Sequence, residues 1–139
     1  MPKPVLDAMA PYVDVVSMQY YCGPDEKARA EMITFMGAAH AGTGKPVLNA
    51  DVGNWAPTKL NPDRVWVKTQ AERGSDYVAI LSALVEQPWC VGMHWCSYLE
   101  NTARGWGIKD PWDEPYVDFV EPMRKFNKKS TAKWAGRFK

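Results

Sequence analysis

Polar and aromatic side chains cluster where β-rich apolar runs give way to loops. Asp51 follows Val47-Leu48-Asn49-Ala50 and precedes Val52-Gly53. Gln19, Tyr20 and Tyr21 close the run that starts at Val13, and His94, Trp95, Tyr98, Glu100 and Asn101 follow Cys90-Val91-Gly92-Met93. Trp55 and Trp106 lie in the loops beyond. A carboxylate on a rigid strand tip, facing a cleft, can act as nucleophile or base in glycoside cleavage. Flat rings stack on sugar C–H faces, while Glu100, Asn101 and His94 offer partners to hydroxyls. Each group also has a plainer reading. Asp51 can be a turn or capping residue, and His94-Trp95 can be core packing. The spacing leaves both readings open.

The elements that must position these groups alternate in period. Val5 to Tyr12 reads as the end of a helix, and Val13 to Tyr20 as a buried strand. Asp25 caps a helix that runs to about Ala41, with Ala28, Met32, Phe35, Met36 and Ala39 at helical spacing. Lys45 to Val52 reads as a second strand, Arg64 to Gln87 as a second helix and Cys90 to Tyr98 as a third strand. Pro115 opens a last helix, and the basic tail 128–139 is expected to fray. Strand–helix alternation predicts an α/β fold of three parallel strand–helix units with right-handed crossovers. In such folds ligands sit at the carboxyl ends of strands, where the polar and aromatic cluster falls.

Composition narrows the field of function. The chain has 139 residues, 46% hydrophobic and 24% charged, which excludes a disordered or collagen-like protein. With 17 basic and 16 acidic residues the net charge is +1, so no strong field favours nucleic acid or an anionic membrane. No apolar run has the length of a secretory signal or a membrane helix. The 3 cysteines lack CxxC spacing and the 2 histidines are far apart, so neither a metal nor a cofactor is expected. Gly42-Thr43-Gly44-Lys45 has phosphate-loop flavour but lies between a helix and the following strand, so it reads as a helix C-cap. The 7 Trp are the anomaly, and they suit either a core or a sugar cleft.

Four segments in order resemble the last part of a clan A (β/α)8-barrel retaining glycoside hydrolase, in particular its agarase and β-galactosidase-like branches. Ala10 to Tyr21 resembles strand six and its approach, and Gly44 to Gly53 resembles strand seven, which carries the nucleophile. Gln70 to Trp95 resembles helix seven and strand eight, and Arg104 to Tyr116 the loop into the last helix. The resemblance implies a partial TIM (β/α)8 barrel over residues 1–127. It places Asp51 at the nucleophile position, with Tyr20 or Tyr21 orienting it, Trp95 as floor of the subsite, and Glu100 and Asn101 on outer hydroxyls.

Two departures bear on chemistry. The family nucleophile is Glu, and Asp retracts the carboxylate by roughly 1.5 Å, about one C–C bond. That is a large part of the difference between retaining and inverting carboxyl spacings. The family's acid/base Glu lies on strand four, outside the three strands read here. The expectation is therefore a glycoside hydrolase fragment that cleaves β-glycosidic bonds when completed by the rest of the barrel. The alternative is a carbohydrate-binding or scaffold protein without catalysis. The expected partner is carbohydrate, with neither nucleic acid nor membrane, and the open sheet edges invite association.

Overall fold

The computed structural model describes residues 2–136. Helix α1 (Lys3–Met9) passes through a single 3-10 turn (Ala10–Tyr12) to β1 (Val16–Met18), and α2 (Glu26–Thr43) leads to β2 (Val47–Val52). Helix α3 (Gln70–Val85) then leads to β3 (Cys90–Trp95), and α4 (Val117–Ala135) completes the order. The strands form one parallel sheet in chain order, the three strand–helix units that the periodicity predicts. Right-handed crossovers in an unbroken strand order put α2 and α3 on the same face of the sheet.

Burial agrees with that layering. Val16, Met18, Val47 and Cys90 pack with Met32, Met36, Ala39, Ile80 and Leu84 in one core. A second core joins α3 to α4 through Tyr77, Leu81, Val85 and Phe119, and Met93 and Trp95 of β3 pack against it. The two helices meet at Gly74, where a Cβ would stand 2.9 Å from Pro122 Cγ and 3.0 Å from Asp118 O. The opposite parity carries exposed Ser17, half-buried Leu48 and Ala50, and exposed His94. In a closed barrel this second face lines the interior.

Several boundaries differ from expectation, each for a local reason. β1 begins at Val16 rather than Val13, because pairing starts with Val16 N donating to Pro46 O at 2.9 Å while Asp14 and Val15 stay exposed. It ends early because the Asn49 carboxamide takes over the backbone of Tyr20, accepting from its N at 3.1 Å and donating to its O at 3.4 Å. Helix α3 starts at Gln70, not Arg64. Trp66 N and Val67 N fold back onto Trp55 O, and Thr69 Oγ1 caps the helix by accepting from Glu72 N at 3.1 Å. The T-x-x-E signature at 69–72 carries that boundary in the sequence.

Gly44 takes a left-handed conformation (φ 67°) and donates its N–H to His40 O at 2.7 Å, the C-cap geometry. Helix α4 runs on to Ala135, through most of the basic segment expected to fray. Trp134 explains this by packing against the second core, and Lys133 Nζ pairs with Glu86 Oε1 at 2.5 Å. Residues 137–139 of that segment lie outside the described residues. Among the described residues no helix is long and apolar enough to cross a membrane.

Candidate active site at the strand tips

Asp51 stands at the end of β2 with φ 57°, in the left-handed region that Asp tolerates better than most residues. The β2–β3 register slips between Asn49 and Val52, so the strand bulges at this residue. Side-chain parity would otherwise send position 51 toward the helices. The bulge turns its carboxylate to the groups at the β1 tip. Gln19 Nε2 hydrogen-bonds Asp51 Oδ2, and Tyr21 OH donates to the same oxygen at 3.4 Å. Gln19 Nε2 also donates to Tyr21 OH at 3.0 Å, which ties the two donors together.

Cys96, just past β3, contacts Asp51 from the other side. Burial, then the hydrogen bond to Asp51, push the Cys96 thiol pKa up. Burial, then the charge of Asp51, push the Tyr21 phenol up as well. Both groups therefore remain protonated at neutral pH, and two donors, Gln19 Nε2 and Tyr21 OH, converge on the carboxylate. That is an orienting shell for a carboxylate that must keep one direction.

Strand parity explains which expected residues join this group. Residues 17, 19 and 21 share one face, whereas Tyr20 shares the face of Val16 and Met18. Tyr20 is accordingly turned to α2, its ring 5.2 Å from that of Phe35, and it does not reach Asp51. Of the two tyrosines, Tyr21 is the one whose hydroxyl contacts Asp51. Trp95 likewise shares the face of Met93. Its ring meets Tyr77 at 5.4 Å and Phe119 at 5.3 Å, and its Nε1 donates to Trp106 O at 3.3 Å. Trp95 is half-buried against the second core on the helix side of the sheet, not on the open face where a sugar floor was expected. His94, on the opposite parity, is exposed on the open face.

The loop after β3 places the remaining candidates. Glu100 is 3% exposed, and its oxygens accept from Thr58 Oγ1 and Asn61 Nδ2, each at 2.5 Å, and from Tyr116 OH. It clamps two loops together and does not face solvent hydroxyls, contrary to expectation. Asn101 Oδ1 accepts from Ala103 N at 3.0 Å and Arg104 N at 2.9 Å, so its side-chain carbonyl builds a turn. Tyr98 is 57% exposed, with its OH 3.4 Å from Asp113 Oδ1 on the outer side of the loop.

Trp55 and Trp106 do come together near Asp51. Their rings stack at 5.5 Å and 17°, and Trp106 lies 5.4 Å from Tyr21. The guanidinium of Arg104 sits 4.9 Å over the Trp106 ring. Sequence reasoning gave no role to Gln19, Cys96 or Arg104. For Gln19 and Cys96 the signal was parity with Ser17 and His94; Arg104 had none.

A buried polar network holds this loop to the sheet. Arg73, fully buried, donates to Trp106 O (3.0 Å), Gly107 O (3.2 Å), Gln70 Oε1 (2.8 Å) and Asn54 Oδ1 (3.3 Å), and lies 4.0 Å over the Phe119 ring. Burial lowers its pKa to about 10, so it stays charged at neutral pH. Asn54 Nδ2 donates to Asp76 Oδ2 at 2.6 Å, while Asp76 Oδ1 is buried with no hydrogen-bond partner among the described residues.

Burial raises the Asp76 carboxyl above its ordinary 3.8. Folding therefore favours the protonated form, and this stabilising contribution, complete below 3.8, is lost as pH rises through the folded value. Urea melts at pH 4 and pH 7 should show Asp76→Asn gaining stability relative to wild type at the higher pH.

No family model matches the chain. A β-agarase B from Vibrio sp. (strain JT0107) is 27% identical over 134 residues, which cover 85% of this chain but 13% of that protein. A solved exo-β-agarase is 25% identical with a TM-score of 0.73, covering 98% of this chain and 19% of its own. The structure of BpGH50 superimposes with a TM-score of 0.78 at 22% identity, over 99% of this chain and 30% of its own. The chain thus spans less than a third of the length of each of these relatives. It has the fold of part of a clan A (β/α)8-barrel glycoside hydrolase and is similar to the agarases.

Proposed function

We propose that this chain supplies the nucleophile-bearing part of a glycoside hydrolase site that acts on β-glycosidic bonds of a poly- or oligosaccharide. The observation that carries this reading is the Asp51 carboxylate, aimed by a left-handed backbone at a strand tip and held by Gln19 and Tyr21. Strain and convergent donors of this kind cluster at working sites. Asp51 acts as nucleophile, or as base toward a water if its shorter side chain leaves room for one. Gln19 and Tyr21 fix its direction, and the Trp55–Trp106 stack forms an aromatic wall beside it. A protonated carboxyl for the leaving oxygen must come from further βα units, which join at the open edges of β1 and β3.

A second reading, a carbohydrate-binding protein without turnover, has one observation in its favour. Glu100, the carboxylate expected beside the site, has its oxygens occupied and is buried. Titration separates the two readings from a protein with no sugar site. An agar-derived tetrasaccharide should shift the tryptophan fluorescence of the purified chain, with affinity on the order of millimolar. Aryl β-glycosides should stay at background hydrolysis with the chain alone. Once further barrel units restore hydrolysis, Asp51→Asn should reduce it by about 10⁴-fold, the scale on which removal of a nucleophile acts. Restored hydrolysis that persists in Asp51→Asn would assign the chain to the binding reading. No fluorescence shift with any β-glycan would remove both.

A further inference from the structure

A cation stands in the same mouth without an acidic partner. Asp51 contacts Tyr21, Tyr21 packs 5.4 Å from Trp106, and Arg104 lies 4.9 Å over Trp106. Arg104 and Asp51 both act electrostatically on the thiol of Cys96, in opposite directions. The guanidinium is therefore three contacts from the carboxylate by way of the two rings, and it shares Cys96 with it as a neighbour. Among the described residues neither Arg104 nor Arg64 takes part in an ion pair.

The turn that carries Arg104 is built firmly. Asn101 Oδ1 and O both accept from Arg104 N, at 2.9 and 3.2 Å. Arg64 Nη2 donates to Ala103 O at 2.9 Å, which adds a second guanidinium one residue away. The buried Glu100 clamp anchors the start of the turn, and Gly105 packs against Asn61 at its end. An arginine on a floppy loop would be an ordinary solvated charge. Here the ring beneath it limits the orientation of its planar fork, and the fork matches a sulfate or carboxylate bidentately. A neutral sugar over Asp51 would leave those donors to water.

Resting on the reading of Asp51 as a sugar site, we propose that the site selects a sugar bearing an anionic substituent, a sulfate ester or a carboxylate, and that Arg104 is the residue that recognises it. The anionic group lies on the Arg104 side of the ring, away from the Asp51 carboxylate, because the two negative charges repel.

The test compares three tetrasaccharides by fluorescence and calorimetric titration of the full chain at 0.15 M salt. They are a neutral agar-derived one, one of the same backbone carrying a sulfate ester, and one of the same backbone carrying a carboxylate. One of the anionic pair should bind about tenfold more tightly than the neutral sugar, a ratio within reach of one charge-assisted contact. Which of the two does so separates sulfate from carboxylate recognition. Arg104→Gln should bring that ratio close to one, and Arg104→Lys, which keeps charge but loses the fork, should give an intermediate ratio. Circular dichroism of each variant checks that the fold persists.

Equal affinity for all three sugars would overturn the inference while leaving the sugar site in place, with Arg104 only a solvated cation stacked on Trp106. A preference retained in Arg104→Gln would overturn it too. No binding of any sugar would remove the sugar-site reading and the inference together.

Discussion

Arg73→Leu is expected to destabilise the chain by about 3–5 kcal/mol, the range for breaking a buried charged network at one partner. The guanidinium is fully buried and donates to two consecutive loop carbonyls, Trp106 O and Gly107 O. Leucine fills part of the space against Phe119 but leaves both carbonyls and Asn54 Oδ1 without a donor in a place water does not reach. The penalty follows from those orphaned acceptors more than from the lost charge. Chemical denaturation should show an earlier midpoint with an unchanged slope if the fold survives. The near-ultraviolet signal should also fall, because Trp106 loses the anchor that holds it against Trp55. Arg73→Lys keeps the charge but cannot span the two carbonyls, Gln70 and Asn54 at once, and should recover less than half of the loss.

Glu100→Ala is expected to cost about 3 kcal/mol, for the complementary reason. Its carboxylate collects three donors, Thr58 Oγ1, Asn61 Nδ2 and Tyr116 OH, from both flanks of the aromatic mouth. Without it the loops that carry Trp55 and Trp106 lose their shared clamp. Gln should be much milder than Ala, since its carbonyl still accepts and its amide can donate to the tyrosine oxygen. Burial, then the hydrogen bond to Glu100, push the Tyr116 phenol well above its ordinary value, so it stays a donor throughout the stable range. Arg73 and Glu100 act on the same loop, and Glu100 helps hold the proton of Arg73. Their losses should therefore not add, and a double-mutant cycle should return a coupling of about 1 kcal/mol or more. Strict additivity would mean that the loop is held at two independent points.

Both predictions concern residues whose importance could not be read along the chain. Arg73 sits in a helix amid Glu72, Ser75 and Asp76, and nothing in its neighbours marks it as buried. The loop carbonyls it holds lie more than thirty positions away, at Trp106 and Gly107. Glu100 looked like a ligand because it follows a strand, the usual place for one. Its burial depends on Thr58 and Asn61, which come from a different loop.

What the sequence determined by itself was the architecture and the gathering of the candidate residues at the strand tips. Periodicity, the Asp25 cap and the Gly44 stop set three strand–helix units. Alternation of the strands put a carboxylate and aromatic rings at their carboxyl ends. Parity with Val16 and Met18 separates Tyr21 from Tyr20, and parity with Met93 separates His94 from Trp95, only once the core face is known, because Val13 and Val15 are also apolar and core-facing Cys90 has the parity of His94. The tertiary structure alone decided which loop residues face the mouth. It turned Asp51 by a bulge that breaks parity, sent Trp95, Glu100 and Asn101 into structural work, brought Gln19 and Cys96 beside the carboxylate, and set Arg104 over Trp106. Strand direction is written in nearest-neighbour sterics, whereas a loop side chain goes where donors and acceptors from distant segments can satisfy it.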